Sequence, residues 1–213
     1  MSNRWWIYQQ ERFPLLTNGI LILVFCLSVM LFSALQQEQF ALPSLLRIGG
    51  ACVSVMILFF QLQVADEFRD DEVDRNYRPE RPLPRGLVSL HELAVMAYAG
   101  AAIQFAIALS IDVGLVPILA AMWLYLGLMT RAFRVPQRSP AAKLAYSFGH
   151  VLIMPMIAFY ASAFDWLCAC RAAPQGLLWV LALSFCCGPA IELGRKMRVA
   201  ENAQSGVETC SAR

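Results

Sequence analysis

Six of the chain's 15 acidic residues fall within nine positions: Asp66, Glu67, Asp70, Asp71, Glu72 and Asp74. They follow an apolar run that ends at Ala65 with no spacer. Asp66, Asp70 and Asp74 are spaced i, i+4, i+8, so on a helix they form one stripe rising about 6 Å per step. Like charges at that spacing repel by a few tenths of a kcal/mol each, which a bound cation would offset. A hard divalent ion suits the need, because Mg²⁺ takes one or two carboxylates, keeps its waters and coordinates phosphate at the same time. Arg78, Arg81 and Arg85 come next in the chain, and guanidinium groups fork onto phosphate oxygens. Residue types and spacing together point to metal-assisted binding of a phosphorylated substrate. A solvated charged face is the competing reading. Against it, membrane orientation depends on Lys and Arg rather than acids, and an unpaired carboxylate beside an apolar run is costly.

The elements that must carry this stripe are membrane helices. The 213 residues are 59% apolar and 15% charged, with a mean hydropathy of +0.56, whereas a soluble domain carries about 25% charged residues. A formal charge of +2 is too balanced for a nucleic-acid-binding surface. Apolar stretches long enough to cross about 30 Å of hydrocarbon lie near 14–36, 44–65, 90–111, 113–131, 143–164 and 174–194. The expected fold is therefore all-α: one multi-span transmembrane bundle of about six helices over residues 1–213. The run from Pro14 to Leu35 is too long for a signal-peptide core and lacks a clear cleavage site, so it reads as an anchor. With the N-terminus cytoplasmic, 15 of the 17 Lys and Arg fall on the cytoplasmic side, leaving only Arg47 and Arg171 outside. The positive-inside rule thus predicts both termini, and the loop at 66–89, on the cytoplasmic face. Trp5, Trp6 and Tyr8 suit an interfacial belt.

Pro79, Pro82 and Pro84 stop any helix running out of the stripe, so this segment is expected to fold back across the cytoplasmic mouth. Ser110 to Gly114 reads as a tight hairpin at the other face, where Asp112 and Asp165 are expected to meet water. The seven cysteines show no paired CxxC motifs with His partners, hence no zinc site; Cys168 and Cys170 read as small apolar residues at a helix end. His150, inside the fifth span, is expected to pack as a neutral, hydrogen-bonded side chain. Gln61 and Gln63 face either a substrate cavity or a neighbouring helix.

The run Asp66-Glu67-x-x-Asp70-x-x-x-Asp74, followed by Arg81-Pro82-Leu83-Pro84-x-Gly86-x-Val88-Ser89, resembles the first aspartate-rich motif of the UbiA superfamily of intramembrane prenyltransferases. That family usually carries Asn-Asp where this chain has Asp66-Glu67. The resemblance implies that Asp66, Asp70 and Asp74 bind Mg²⁺ and the diphosphate of a polyprenyl donor, with Arg78 and Arg81 on the phosphates and a lipophilic acceptor, aromatic or other. It also implies a second motif after the sixth helix. Glu192 and Glu201 stand there for two carboxylates, while Arg195, Lys196 and Arg198 replace residues that are acidic or neutral in the family and could hold diphosphate directly. Arg131, Arg134, Arg138 and Lys143 lie where the family has further basic diphosphate ligands. Family members usually have nine helices, and this sequence has six. The expectation is a chain without the last three, either a truncated or disrupted copy or one whose bundle a partner chain completes, lying in the lipid bilayer, which for a bacterial protein is that of the cell (inner) membrane.

Two rivals remain. CDP-alcohol phosphatidyltransferases also have about six helices and spaced aspartates, but their Asp-Gly-x-x-Ala-Arg start is missing upstream of Asp66. A non-catalytic family copy or subunit is the rival that the altered second motif favours. A transporter fits poorly, because the acids cluster at a membrane face rather than at the midplane.

Overall fold

The apolar runs fold as helices, and the acidic run extends one of them. The structure is a computed structural model that describes residues 3–37, 41–133, 140–170 and 172–196, with the backbone alone for 132, 133, 140–148, 150 and 188–196. Among the described residues the elements are α1 (Arg4–Arg12), α2 (Leu15–Leu35), α3 (Leu45–Tyr77), α4 (Leu90–Ile111), α5 (Leu115–Phe133), α6 (Pro140–Trp166) and α7 (Leu177–Lys196). α2 and α4 to α7 match the expected runs. α1 was not expected as a helix: Trp5, Trp6 and Tyr8 lie on a short helix that the Asn3 side chain caps by accepting from the Trp5 amide at 3.2 Å. Pro14 separates it from α2.

α3 is 33 residues long, about 50 Å, so a bilayer core of about 30 Å cannot contain it. The segment 66–89, expected as an inter-span loop, is helical as far as Tyr77. Oppositely charged neighbours one turn apart support this extension: Asp66 with Arg69, Asp71 with Arg75 and Asp74 with Arg78. The helix ends where Arg78 precedes Pro79. The chain then turns back as expected, with Gly86 supplying a φ of +71° and Leu83 and Val88 packing with Tyr8, Val64 and Leu93. Ser89 and Glu92 close a capping box on α4.

α3 and α6 form the centre. α3 packs against α2, α4, α5 and α6, and α6 against α2, α3, α5 and α7. Met30, Val55, Leu58, Leu119, Ile157, Tyr160 and Phe164 fill the core between them. Gly100 lets α4 approach α3 closely, since a Cβ there would stand 2.7 Å from Ile57 Cγ2. Running through this core is a polar chain. Gln61 Nε2 donates to Ala97 O and Gln104 Oε1, both at 3.1 Å; Gln104 Nε2 donates to Ser54 O at 2.9 Å; and Trp123 Nε1 donates to Gln104 Oε1 at 3.1 Å. Ser54 Oγ and the Tyr160 hydroxyl share a bond of 2.9 Å. Four helices are thereby tied at one level.

α2, α3 and α4 are long and apolar enough to cross a membrane, while α5, α6 and α7 contribute shorter apolar stretches among the described residues. Large apolar side chains such as Leu21, Val24, Leu124 and Trp179 face outward. One end of the bundle gathers the α2–α3, α4–α5 and α6–α7 connections: Gln36 Nε2 donates to Gln175 O at 3.0 Å, Arg47 Nη2 to Cys168 O at 2.8 Å, and Gly114 sits against Leu167. The hairpin at Asp112 forms as expected. Asp165, expected to face water, is instead buried, because the last turn of α6 is covered by this cluster of connections. The end of α3 and α1 lie at the opposite end.

Gln104 tests the polar chain. Gln104→Leu should lower stability by about 1–3 kcal/mol, since it leaves the N–H of the part-buried Trp123 without its acceptor and takes one acceptor from Gln61. Leu109→Ala on an exposed face should shift it by less than about 0.5 kcal/mol. Thermal unfolding in detergent reads both.

Candidate functional site

The acid stripe winds around α3 as it rises. At about 100° per residue, Asp70 lies about 40° around the axis from Asp66, Asp74 about 80° and Glu67 about 100°. Asp74 therefore shares a face with Glu67, and the structure covers that face. Asp74 is 1% exposed and Glu67 2%, whereas the Asp66 and Asp70 side chains are 19% and 30% exposed.

Each acid is met by arginine. Arg69 forks onto Asp70 at 2.6 and 3.0 Å and reaches Asp66 Oδ1 at 3.2 Å. Arg81 Nη1 donates to Asp74 Oδ2, and Arg78 Nη1 stands 3.6 Å from Asp74 Oδ1. Glu67 Oε1 accepts from Arg12 Nε at 2.6 Å and from Gln63 Nε2 at 3.1 Å. α1 is fastened twice more, by Glu11 to Arg85 at 3.0 Å and by Arg4 to Glu92 at 2.7 Å. Phe13 closes edge-on against Phe60 at 5.7 Å.

The electrostatics follow from burial and pairing. Burial works against the Arg12 charge, but the hydrogen bond to Glu67 and the charges of Glu67 and Asp74 outweigh it, so the Arg12 pKa lies above its usual value. Burial, and then the charge of Glu67, push the Tyr8 hydroxyl up. Glu92 accepts from the Ser89 amide and hydroxyl and pairs with Arg4.

Mg²⁺, which the sequence resemblance implies, can be tested against these groups. Asp66 Oδ1 and Asp74 Oδ1 are buried, with Arg69 Nη1 at 3.2 Å from the first and Arg78 Nη1 at 3.6 Å from the second, and carboxylate oxygens are the hard donors that Mg²⁺ prefers. Among the described residues no three His, Cys, Asp or Glu side chains converge as a metal-holding group. A two-carboxylate set completed by water and phosphate is within the ion's habit, and in that form the residues fit.

The structure thus brings Asp66, Asp70, Asp74, Arg78 and Arg81 to one helix end. Arg85 turns away to Glu11. Arg131 is exposed in the last turn of α5. Glu192, Arg195 and Lys196 lie on the backbone of α7 and Lys143 on that of α6; their side chains and that of His150, like the whole of Arg198, Glu201, Arg134 and Arg138, are outside the described residues. Gln61 takes the neighbouring-helix alternative, and Gln63 supports Glu67. Arg12, Tyr8 and the role of Glu67 escaped the sequence reading, although Glu67 lies seven residues before Asp74, two helical turns, which is the signal that places them together. A separate apolar cavity of about 480 Å³ lies among α5, α6 and α7, lined by Pro117, Met122, Pro155, Phe159 and Leu181 among others. Set against models of known protein families, curated proteins and solved structures, the chain matches none.

One outcome checks this geometry. Arg12→Ala leaves Glu67 buried and uncompensated and should cost about 3–5 kcal/mol, most of which Glu67→Gln restores in the double variant; a double-mutant cycle in detergent measures it.

Proposed function

We propose that the chain is a multi-pass integral membrane protein that binds a polyprenyl diphosphate with Mg²⁺ at the end of α3 and transfers the prenyl group to a lipophilic acceptor. The observation that carries this reading is an acid stripe suited to a metal with an arginine segment folded back onto it: Arg81 and Arg78 return to the last turns of the helix that bears Asp66, Asp70 and Asp74. The resemblance to UbiA prenyltransferases supports the same assignment, and it extends it to Glu192, Glu201, Arg195, Lys196, Arg198 and Arg131 on sequence grounds. The Lys and Arg distribution supports a site on the cytoplasmic face, which in a bacterium is that of the inner membrane.

When bound, Mg²⁺ neutralises the diphosphate and stabilises the charge that develops as the C–O bond ionises. The chain's own residues do the rest. The guanidinium groups of Arg78 and Arg81 orient phosphate oxygens with charge-assisted bonds. Asp66, Asp70 and Asp74 are the candidate metal ligands of the first motif. The apolar bundle keeps water from a reactive allylic cation, and the cavity among α5, α6 and α7 offers the apolar surface that an isoprenoid tail needs.

A second reading has its own observation. Every acid of the stripe is already paired with arginine, as it would be in a non-catalytic relative that keeps the charges only to fasten its loops.

Calorimetry of the detergent-solubilised chain with a polyprenyl diphosphate separates the two. Binding that needs Mg²⁺ and is lost in Asp70→Ala is expected. A folded chain that binds no donor, or binds it equally without Mg²⁺ and in Asp70→Ala, overturns the enzymatic reading in favour of the fastening role.

A further inference from the structure

α1 is attached to the rest of the molecule mainly by its ends and its charges. Among the described residues no helix packs along it, and nine residues are too few for a helix stable by itself. Its apolar hold is Tyr8, 3% exposed and packed with Val64, Val88 and Leu93. Its buried latch is Arg12 on Glu67 at 2.6 Å, with side chains 16% and 2% exposed. The pairs Arg4–Glu92 and Glu11–Arg85 lie at the rim, with side chains between 32% and 52% exposed, where an ion pair contributes little and salt screens it. The seam itself is incomplete. The Tyr8 hydroxyl and Gln9 Oε1 are buried without hydrogen-bond partners, a cost that opening removes because water then reaches both. Phe13 and Pro14 alone join α1 to α2; neither is helical, and no side chain caps α2 there. Phe13 is held edge-on against Phe60, which gives a short arm a fixed pivot.

The groups that this arm occupies suit an anion. Both Glu11 oxygens accept from Arg85 Nη2 at 3.0 Å, and Glu67 accepts from Arg12 Nε. A carboxylate on a guanidinium makes the same charge-assisted bond as a phosphate oxygen. Arg85 belongs to the same proline-rich segment as Arg78 and Arg81, and Glu11 takes it for α1. We propose, building on the phosphate-binding part of the functional reading above, that α1 is a lid, hinged at Phe13 and Pro14 and held shut by its own Glu11 and Arg12. A phosphate anion opens it by competing with Glu11 for Arg85 and with Glu67 for Arg12. The anion can drive this change because it bonds these guanidinium groups only once the carboxylates have released them.

The test uses the full chain in detergent with Mg²⁺, inorganic pyrophosphate as the anion and Val64→Cys as the reporter. Val64 is 4% exposed and packed with Tyr8, so its modification by a charged, water-soluble thiol reagent, read by peptide mass spectrometry, follows opening. Pyrophosphate should speed the modification about tenfold or more relative to chloride at equal ionic strength, the effect of replacing one buried charge-assisted bond. Glu67→Gln should speed it as much without any anion, and should bind pyrophosphate about tenfold more tightly in calorimetry. Arg12→Gln gives a second route to the open state. Glu80→Gln, which removes an exposed acid of the same segment, should leave rate and affinity within about twofold. Modification no faster in folded Glu67→Gln and Arg12→Gln than in the native background overturns the lid. Pyrophosphate that binds without changing the rate does the same, and in both cases the functional reading stands. Pyrophosphate that binds neither the native chain nor Glu67→Gln overturns the lid and the functional reading together.

Discussion

Carboxylates that leave an apolar helix with no spacer must be neutralised where water is scarce, and the rest of the helix end is arranged around that requirement. Asp66 directly follows Ala65, so α3 cannot delay its first charge until it is fully solvated. The answer is arginine at every position: Arg69 within the helix, Arg78 and Arg81 from the segment beyond it, Arg12 from α1. Three of these four come from outside the helix, from elements with few other contacts to α3. The proline-rich turn packs only Leu83 and Val88 into the small cluster beneath it, and α1 is nine residues long and buries little beyond Tyr8. Isolated helices of that length are marginal. Their placement therefore depends on the buried ion pairs, which also means that these pairs act more on geometry than on net stability.

The middle of the bundle obeys the same rule with neutral groups. Gln104 is fully buried, and an apolar neighbour could not satisfy its amide. It accepts from α5 and α3 and donates to the α3 backbone, so its side chain fixes how α3, α4 and α5 face each other. Ser54 extends the chain to α6 through Tyr160. In hydrocarbon, apolar packing alone scarcely distinguishes a helix neighbour from lipid, and a few such bonds with close approaches like Gly100 on Ile57 give the bundle one arrangement.

The sequence made the long elements legible because their signal is local: an apolar run of about 20 residues is a helix wherever it packs. The stripe was legible for the same reason, as was the turn forced by Pro79, Pro82 and Pro84. What escaped was set by distance along the chain. Nothing near Arg12 shows that it meets Glu67, 55 residues on, and α1 itself lacks the length that makes periodicity readable. Asp165 was misplaced by its position at a span end, since its burial depends on connections from three helix pairs meeting there. Gln104 had a local signal, a lone amide in an apolar run, but its partners on two other helices did not.

The division of the stripe follows from a mismatch of periods. A spacing of four residues overshoots the 3.6-residue turn, so three acids written as one motif drift around α3 by about 80° from first to last. A straight row of ligands is therefore unavailable to this sequence on a regular helix. The first two acids remain near the side where Arg69 meets them, and the third arrives on the face that α1 and the proline turn cover. Placing the arginines after the stripe rather than before it makes use of the drift, because the chain leaving α3 at Tyr77 emerges beside Asp74 and not beside Asp66. Carboxylate oxygen and guanidinium nitrogen then lie next to each other at one helix end, held in fixed relation by the helix.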